Sequence, residues 1–387
     1  METEEKTRRL SAAVRPISHH LSRHLSMYIE RILLSPSDLA QRAELLASRG
    51  LSVPGGGAFK SDVILGLFED LPGGERLVAT GSLIGHTIQG AAVRKELEGR
   101  GLTAELTTLL LRHAAGAGIW HLFLFTKPRE APRFAGLGFR PLAATDSAAL
   151  LEWGRPGIEE FIMGLMEARD HAARRAGLSA GGLGATPPVT GPGPAALVVN
   201  CNPFTLGHRY LIERAAAASE RLYVLVVREE RSEFPFEVRF RLVKEGVSDL
   251  ENVVVLSGGE YCVSAATFPS YFTREEEFAS VHAALDLSIF ASRIAPALSV
   301  KKRFVGTEPF SPVTNIYNET MKDLLPRYGI EVEELRRLEI GGEPVSASRV
   351  RALLREGRME EAKAIVPPCT RRWLASPEAV PVLERLR

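Results

Sequence analysis

Cysteine is scarce. Cys201, Cys262 and Cys369 are the only 3 in 387 residues, they stand far apart, and no C-x-x-C pair occurs. An odd, dispersed set argues against a disulfide scaffold and fits a reducing compartment. A surplus of either charge is also missing: 48 basic residues face 47 acidic ones, for a formal net charge of +1. That balance gives no broad electrostatic attraction to nucleic acid or to a membrane surface. No apolar run approaches the ~18 residues of a membrane span. Nor is a targeting signal expected. Arg8, Arg9, Arg15 and Arg23 lie near the N-terminus, but Glu2, Glu4 and Glu5 stand among them and no apolar segment follows. A soluble, cytoplasmic protein is the expectation. His19, His20 and His24 include an i, i+4 pair without an obvious third ligand, so they read as a solvated helix face and no resident metal is expected.

What is present is length, apolar content and one sharp shift in composition. The chain exceeds one ordinary domain, and its 45% hydrophobic content is enough for sizeable cores. Residues 177–194 are so rich in Gly and Pro that neither a helix nor a central strand can run through them. This linker separates residues 1–176 from residues 195–387. In the first part, strand candidates Asp62–Phe68 and Arg76–Ser82 flank a Pro-Gly-Gly hairpin signal, and His86–Val93 follows. Then come Glu96-Leu-Glu-Gly-Arg-Gly101, a helical run Leu102–Ala115, and a strand His121–Phe125. An antiparallel meander followed by a glycine loop that opens a helix resembles the GCN5-related acetyltransferases, whose loop cradles the pyrophosphate of acetyl-CoA. Gly99 and Gly101 are therefore candidates for a CoA-like group. Glu96, however, stands where that family's loop begins with Gln or Arg, and Glu98 lies within the loop. Two carboxylates repel a pyrophosphate, so the domain is expected to dock or support rather than transfer acetyl groups.

The second part has a different rhythm. Apolar runs Ala195–Val199, Tyr223–Val227, Val253–Leu256 and Arg303–Gly306 alternate with helical patterns at Phe236–Val247, Ala283–Ile294 and Asn315–Tyr328. This βα alternation predicts a doubly wound parallel sheet, which binds ligands at the carboxyl ends of its strands. The whole chain is thus expected to be α/β, with a mixed-sheet first domain and a Rossmann-like second one. Directly after Val199 comes Asn200-Cys-Asn-Pro-Phe-Thr-Leu-Gly-His208. A strand, a turn and a helix N-terminus make an anion site through free N–H groups and the helix dipole. Thr205 and His208 add side-chain donors, and Gly207 permits close backbone approach. Near the other end, Val345-Ser-Ala-Ser-Arg-Val-Arg351 places Ser346 and Ser348 before a helix and Arg351 one turn on. Ser348 suits an N-cap, and Arg351 offers a permanent, forked cation for phosphate.

Thr205-Leu-Gly-His208 resembles the T/H-x-G-H signature of the nucleotidyltransferases, and Val345–Arg351 resembles their I-S-S-T-x-x-R motif. With Ser264–Phe272, Phe304-Val-Gly-Thr-Glu-Pro309, Val313–Asn318, Thr80–Leu83 and Phe125–Pro128, the chain resembles the citrate (pro-3S)-lyase ligase family. The resemblance spans most of residues 60–370. It implies an enzyme that uses ATP, with Mg²⁺ on its phosphates, to activate acetate as acetyl-adenylate. The acetyl group then passes to the CoA-derived thiol on the acyl carrier subunit of citrate lyase, with release of AMP and pyrophosphate. His208, Thr205 and Arg351 are the implied catalytic residues. Asn202, Phe204, Gly207, Gly306, Glu308, Ser346 and Ser348 are the implied ATP contacts, Glu308 by accepting ribose hydroxyls. Arg239 is a second candidate cation for acetate or phosphate, and Ser264–Phe272 a candidate acetate or pantetheine pocket. Cys201 needs no nucleophilic role, because the acceptor thiol is external. The alternative enzyme is an adenylyltransferase acting on a phosphopantetheine or mononucleotide.

Overall fold

The structure, a computed structural model, describes residues 28–51, 63–175, 192–228, 232–262, 275–307 and 312–386. Glu308, the Ser264–Phe272 run, His19, His20, His24 and residues 177–191 lie outside these segments. Among the described residues, no helix is long and apolar enough to cross a membrane.

The first half is built on a seven-stranded sheet of order β1-β2-β3-β4-β5-β7-β6. β1 (Ile29–Ile32) pairs with β2 (Val63–Leu71), and the β2, β3 (Gly74–Ile84) and β4 (Thr87–Val93) meander is antiparallel, as its hairpin signals predict. Helix α1 (Pro36–Ser48) starts where Ser35 accepts the Asp38 N–H at 3.0 Å, with proline in its first turn. Helix α2 (Leu102–Gly116) buries Leu102, Leu106 and Leu110 against the meander. It then delivers β5 (His121–Thr126) parallel to β4. β6 (Arg140–Ala144) and β7 (Ala149–Gly154) complete the sheet. β1 and β6 escape a period-2 reading because they are short edge strands, and β6 contains Pro141, which an edge tolerates.

The second half has the expected parallel sheet, of order β10-β9-β8-β11-β12. Its strands are β8 (Ala195–Val199), β9 (Leu222–Val226), β10 (Val253–Ser257), β11 (Lys302–Gly306) and β12 (Glu331–Leu335). The chain winds outward from β8 through β9 to β10, then returns to add β11 and β12 on the other side. The β8/β11 junction is therefore the switch point where such sheets open a crevice. β9 is apolar at every position because both its faces are covered. Leu222, Val224 and Val226 face one core with Phe204 and Leu242, while Tyr223 and Leu225 face another with Leu287 and Met321. β12, Glu-Val-Glu-Glu-Leu, lies at an edge and is half-buried, which hides it from a search for apolar runs.

That second core also contains Leu150 of β7 with Ile158 and Leu165 of α3 (Ile158–Arg175), so the first half seals one face of the parallel sheet. A buried polar knot crosses the junction. His121 contacts Glu152 at 3.0 Å through Nε2 and Glu260, from the turn after β10, at 2.9 Å through Nδ1. Glu152 also accepts from Tyr261 Oη at 2.7 Å and from the Ile158 N–H, and it lies 3.1 Å from Arg140. Burial alone would lower the His121 pKa, but the hydrogen bonds and charges of the two carboxylates raise it to about 9. Both ring nitrogens therefore donate, and the ring is an imidazolium at neutral pH. A histidine raised on folding contributes stability below its unfolded pKa of ~6.5 and loses it as pH climbs through the folded value. Here that contribution is about 3 kcal/mol. We expect wild type to exceed His121→Gln in urea midpoint at pH 6, with the gap closing by pH 9.5. A gap independent of pH would refute the charged pairing.

Candidate active site

The loop leaving β8 turns sharply. Cys201 adopts φ +53°, and Asn202, Phe204 and Thr205 are buried. Thr205 is the N-cap of α4 (Leu206–Ala217): its Oγ1 accepts the His208 N–H at 3.3 Å, and His208 Nδ1 accepts the Thr205 N–H at 3.1 Å. This is a capping box in which histidine takes the place usually held by Glu or Gln. The Thr205 hydroxyl, 2.9 Å from Nδ1, contacts the same ring atom. With Nδ1 accepting, the proton of the neutral ring is assigned to Nε2. Burial, with Arg337 and Arg351 nearby, pushes the His208 pKa down to about 4. His208 is therefore a neutral hydrogen-bond donor at a helix N-terminus.

The second motif comes to this same point. Ser346 caps α6 (Ala347–Arg355) by accepting the Arg349 N–H at 3.1 Å. The cap is thus Ser346, not Ser348. Ser348 sits inside the helix and receives Arg351 Nη2 at 3.4 Å. Arg351 Nη1 donates to the Asn202 carbonyl, joining the two motifs directly. A second joint lies at Gly207, where a Cβ would stand 2.2 Å from the Val345 carbonyl oxygen. Gly207 was expected to admit a phosphate, but its missing side chain makes room for Val345. Gly306 closes β11 at the level of the β8 carboxyl end, and its carbonyl accepts from Asn318 Nδ2 at 3.2 Å.

Three expectations need correction. Thr205 is 0% exposed and its hydroxyl serves the cap, so it orients His208 rather than contacting a ligand. Phe204 is likewise 0% exposed and stacks beneath the His208 ring at 6.2 Å between centroids. Arg239, on α5 (Phe236–Gly246), is 0% exposed too. Its Nε donates to the Phe234 carbonyl at 3.0 Å, and its Nη1 donates to the Asn200 and Val227 carbonyls at 2.7 and 2.9 Å. It braces the loop instead of presenting charge to a substrate, because a buried guanidinium needs its donors satisfied. Cys201 is buried and its thiol pKa is pushed up, so it carries no thiolate. Glu233, Arg337 and Arg355 were not anticipated. Glu233 lies between the motifs, 3.3 Å from Arg351 Nε and 3.1 Å from Arg355 Nη2. No local pattern marks a loop carboxylate whose partners come from a distant helix.

In the first half, a cavity of about 400 Å³ lies beside the glycine loop. Ala91, Val93, Leu106, Phe134, Lys127 and Arg133 are among the residues that line it. Gly99 and Gly101 have φ +81° and +83°, and a Cβ on either would meet nothing within 4 Å. Glu98 is ion-paired to Arg49, and Glu96 lies 3.4 Å from Arg76. The repulsion expected from these two carboxylates is thus partly neutralised by partners outside the loop. Among the described residues, no group of three His, Cys, Asp or Glu stands ready to hold a metal.

A parallel sheet with its switch point at β8, a capped helix carrying His208 and an arginine delivered from α6 give the second half the layout of a nucleotidyltransferase-like doubly wound α/β domain. Comparison with known proteins narrows this. Residues 194–374 match the model of the citrate lyase ligase C-terminal domain. The chain is 41% identical over 306 residues to citrate (pro-3S)-lyase ligase of Klebsiella pneumoniae, covering 78% of this chain and 84% of that one. It is 34% identical over 343 residues to the ligase of the same name from Escherichia coli K12, covering 87% and 90%. The chain belongs to the citrate lyase ligase family. A phosphopantetheine adenylyltransferase of Streptococcus gordonii matches over 68 residues, 43% identical, which is 17% of this chain and 42% of that one. Among solved structures, Escherichia coli ElaA superposes on 33% of this chain and 99% of its own, with 14% identity and a TM-score of 0.29.

Proposed function

We propose that this ligase activates acetate with ATP and acetylates the CoA-derived thiol on the acyl carrier subunit of citrate lyase. The observation that carries the reading is the junction of Gly207 with Val345 and of Asn202 with Arg351, which brings a helix N-terminus, a histidine donor and a guanidinium to one point. That donor set fits a polyphosphate. An acetate oxygen attacks the α-phosphorus of ATP, the bond to the bridging oxygen breaks, and pyrophosphate leaves with its electrons. The thiol sulfur of the carrier then attacks the acetyl carbon, AMP departs, and the thiol proton passes to solvent. Mg²⁺ would arrive with ATP as part of the substrate and would supply positive charge to its phosphates.

Each residue's share follows from its position. The Nε2–H of His208 hydrogen-bonds the phosphate that gathers charge, and as a neutral donor it need not first lose a proton. Arg351 supplies the permanent charge for the leaving pyrophosphate, and Ser346 and Ser348 begin the helix that carries it. Gly306 bounds the crevice on the β11 side, where we place the nucleoside. The cavity beside Gly99 and Gly101 is our candidate for the apolar stretch of the CoA-derived arm, so that the first domain binds rather than catalyses. The test supplies ATP, Mg²⁺, acetate and thiol-form citrate lyase and follows AMP, pyrophosphate and recovered citrate cleavage. All three should depend on acetate. Adenylyl transfer to phosphopantetheine without acetate dependence would favour the adenylyltransferase reading instead.

A further inference from the structure

Glu233 touches both halves of the site. Its Oε2 accepts from Asn202 Nδ2 at 2.6 Å, while the N–H of Phe234 donates to Asn202 Oδ1 at 3.0 Å, so the Asn202 amide is gripped at both ends. The other oxygen, Oε1, lies 3.3 Å from Arg351 Nε and 3.1 Å from Arg355 Nη2. Arg351 closes the circuit by donating to the carbonyl of that same Asn202. Burial alone would raise the carboxyl's pKa, but hydrogen bonds from the backbone and Asn202 and the charges of both arginines bring it down. The carboxylate is ionised, and both its oxygens are engaged.

We propose that Glu233 is a positioning residue: it presets Arg351 against the β8 loop so that the guanidinium is already in place when a polyphosphate arrives. A free arginine side chain samples many rotamers, and freezing it on binding takes up to ~2 kcal/mol from the ligand's affinity. The Asn202 carbonyl on the β8 loop, the Glu233 carboxylate and the Ser348 hydroxyl hold the guanidinium beforehand and reduce that loss. The two arginines outnumber the one carboxylate, so a net positive charge remains for phosphate. The inference rests on the adenylation reading for its choice of ligand. It also makes a prediction that simple charge counting contradicts. Removing a negative charge beside a phosphate site should tighten anion binding on electrostatics alone, whereas removing a positioning residue should weaken it.

Calorimetry with ATP and with inorganic tripolyphosphate decides between these signs. Glu233→Gln can keep its oxygen toward Asn202 Nδ2, but it loses the charge and turns an NH2, a donor, toward the two arginines. We expect it to bind both ligands about tenfold more weakly than wild type with an unchanged melting temperature. Glu233→Asp, one methylene shorter, should fall between the two. In an Arg351→Lys background, Glu233→Gln should add less than a twofold further loss, because the residue it positions is no longer there. Equal or tighter binding by Glu233→Gln would overturn the proposal, as would a full tenfold loss in the Arg351→Lys background. Neither result touches the acetate dependence of AMP formation, on which the proposed reaction stands or falls separately.

Discussion

Replacing His208 with alanine is expected to slow acetate-dependent AMP formation by about 10²–10³-fold, the usual effect of deleting one preorganised donor to a charge-gathering oxygen. The ring has two duties that must be kept apart. Its Nδ1 side belongs to the fold, because it accepts the Thr205 N–H at 3.1 Å and completes the cap of α4. Its Nε2 side belongs to the chemistry. Alanine removes both, so some loss of stability, about 1 kcal/mol, accompanies the kinetic effect. His208→Gln separates them. Glutamine is a natural residue at this position of a capping box and can accept the same N–H, so the melting temperature should return toward wild type. Its amide is not at the position of Nε2, so the rate should stay low. Recovery of turnover along with stability in His208→Gln would assign His208 to the cap alone. The protonation state adds a further check. With its pKa pushed down to about 4, His208 does not change charge near pH 6.5, and kcat/KM should show no inflection there from this group. The stability tied to its neutral form is complete above ~6.5 and is lost as pH falls toward 4, the opposite sense to His121.

Gly207→Ala should be nearly as damaging, for a purely steric reason. By helix propensity alone, alanine at this α4 position would stabilise by about 1 kcal/mol. The structure opposes that gain with a Cβ 2.2 Å from the Val345 oxygen and 3.3 Å from its carbonyl carbon, both backbone atoms that cannot rotate away. Either α4 or the segment leading to Ser346 must move by about 1 Å, and overpacking of this kind costs ~1–3 kcal/mol. Since Val345 immediately precedes the Ser346 cap, the shift carries the start of α6 and Arg351 with it. A misplacement of that size loses about 100-fold in rate. The prediction is a lowered melting temperature, AMP formation down by about 100-fold and weaker ATP binding. Wild-type turnover in Gly207→Ala would show that the joint with Val345 does not set the geometry of the site.

Much of this site was legible locally. The β8 run, the Thr205–His208 turn and the Ser346–Arg351 helix start are each encoded within ten residues, by an apolar stretch, a capping residue and a helical period. Helix α2 and strands β5 and β8 lie within one residue of where periodicity puts them. The misreadings share one cause. Arg239 and Phe204 stand in the right stretch of chain but face inward, and a sequence pattern near a loop does not reveal which side of the backbone will be covered. Gly207 reads in the sequence as a place where a phosphate approaches the backbone, and in the fold the Val345 carbonyl occupies the space a side chain would take.

The α/β class, the order of strand, turn and helix, and the two phosphate-type motifs are readable along the chain, because these follow from short-range periodicity and capping. It takes the folded chain to show that the two motifs meet, that Thr205 serves His208, that Glu233 stands between Asn202 and Arg351, and that the first half seals the sheet through Ile158 and Leu165. Burial and ion pairing are properties of residues far apart along the chain, and the partner of a carboxylate is fixed by packing, not by its neighbours in sequence.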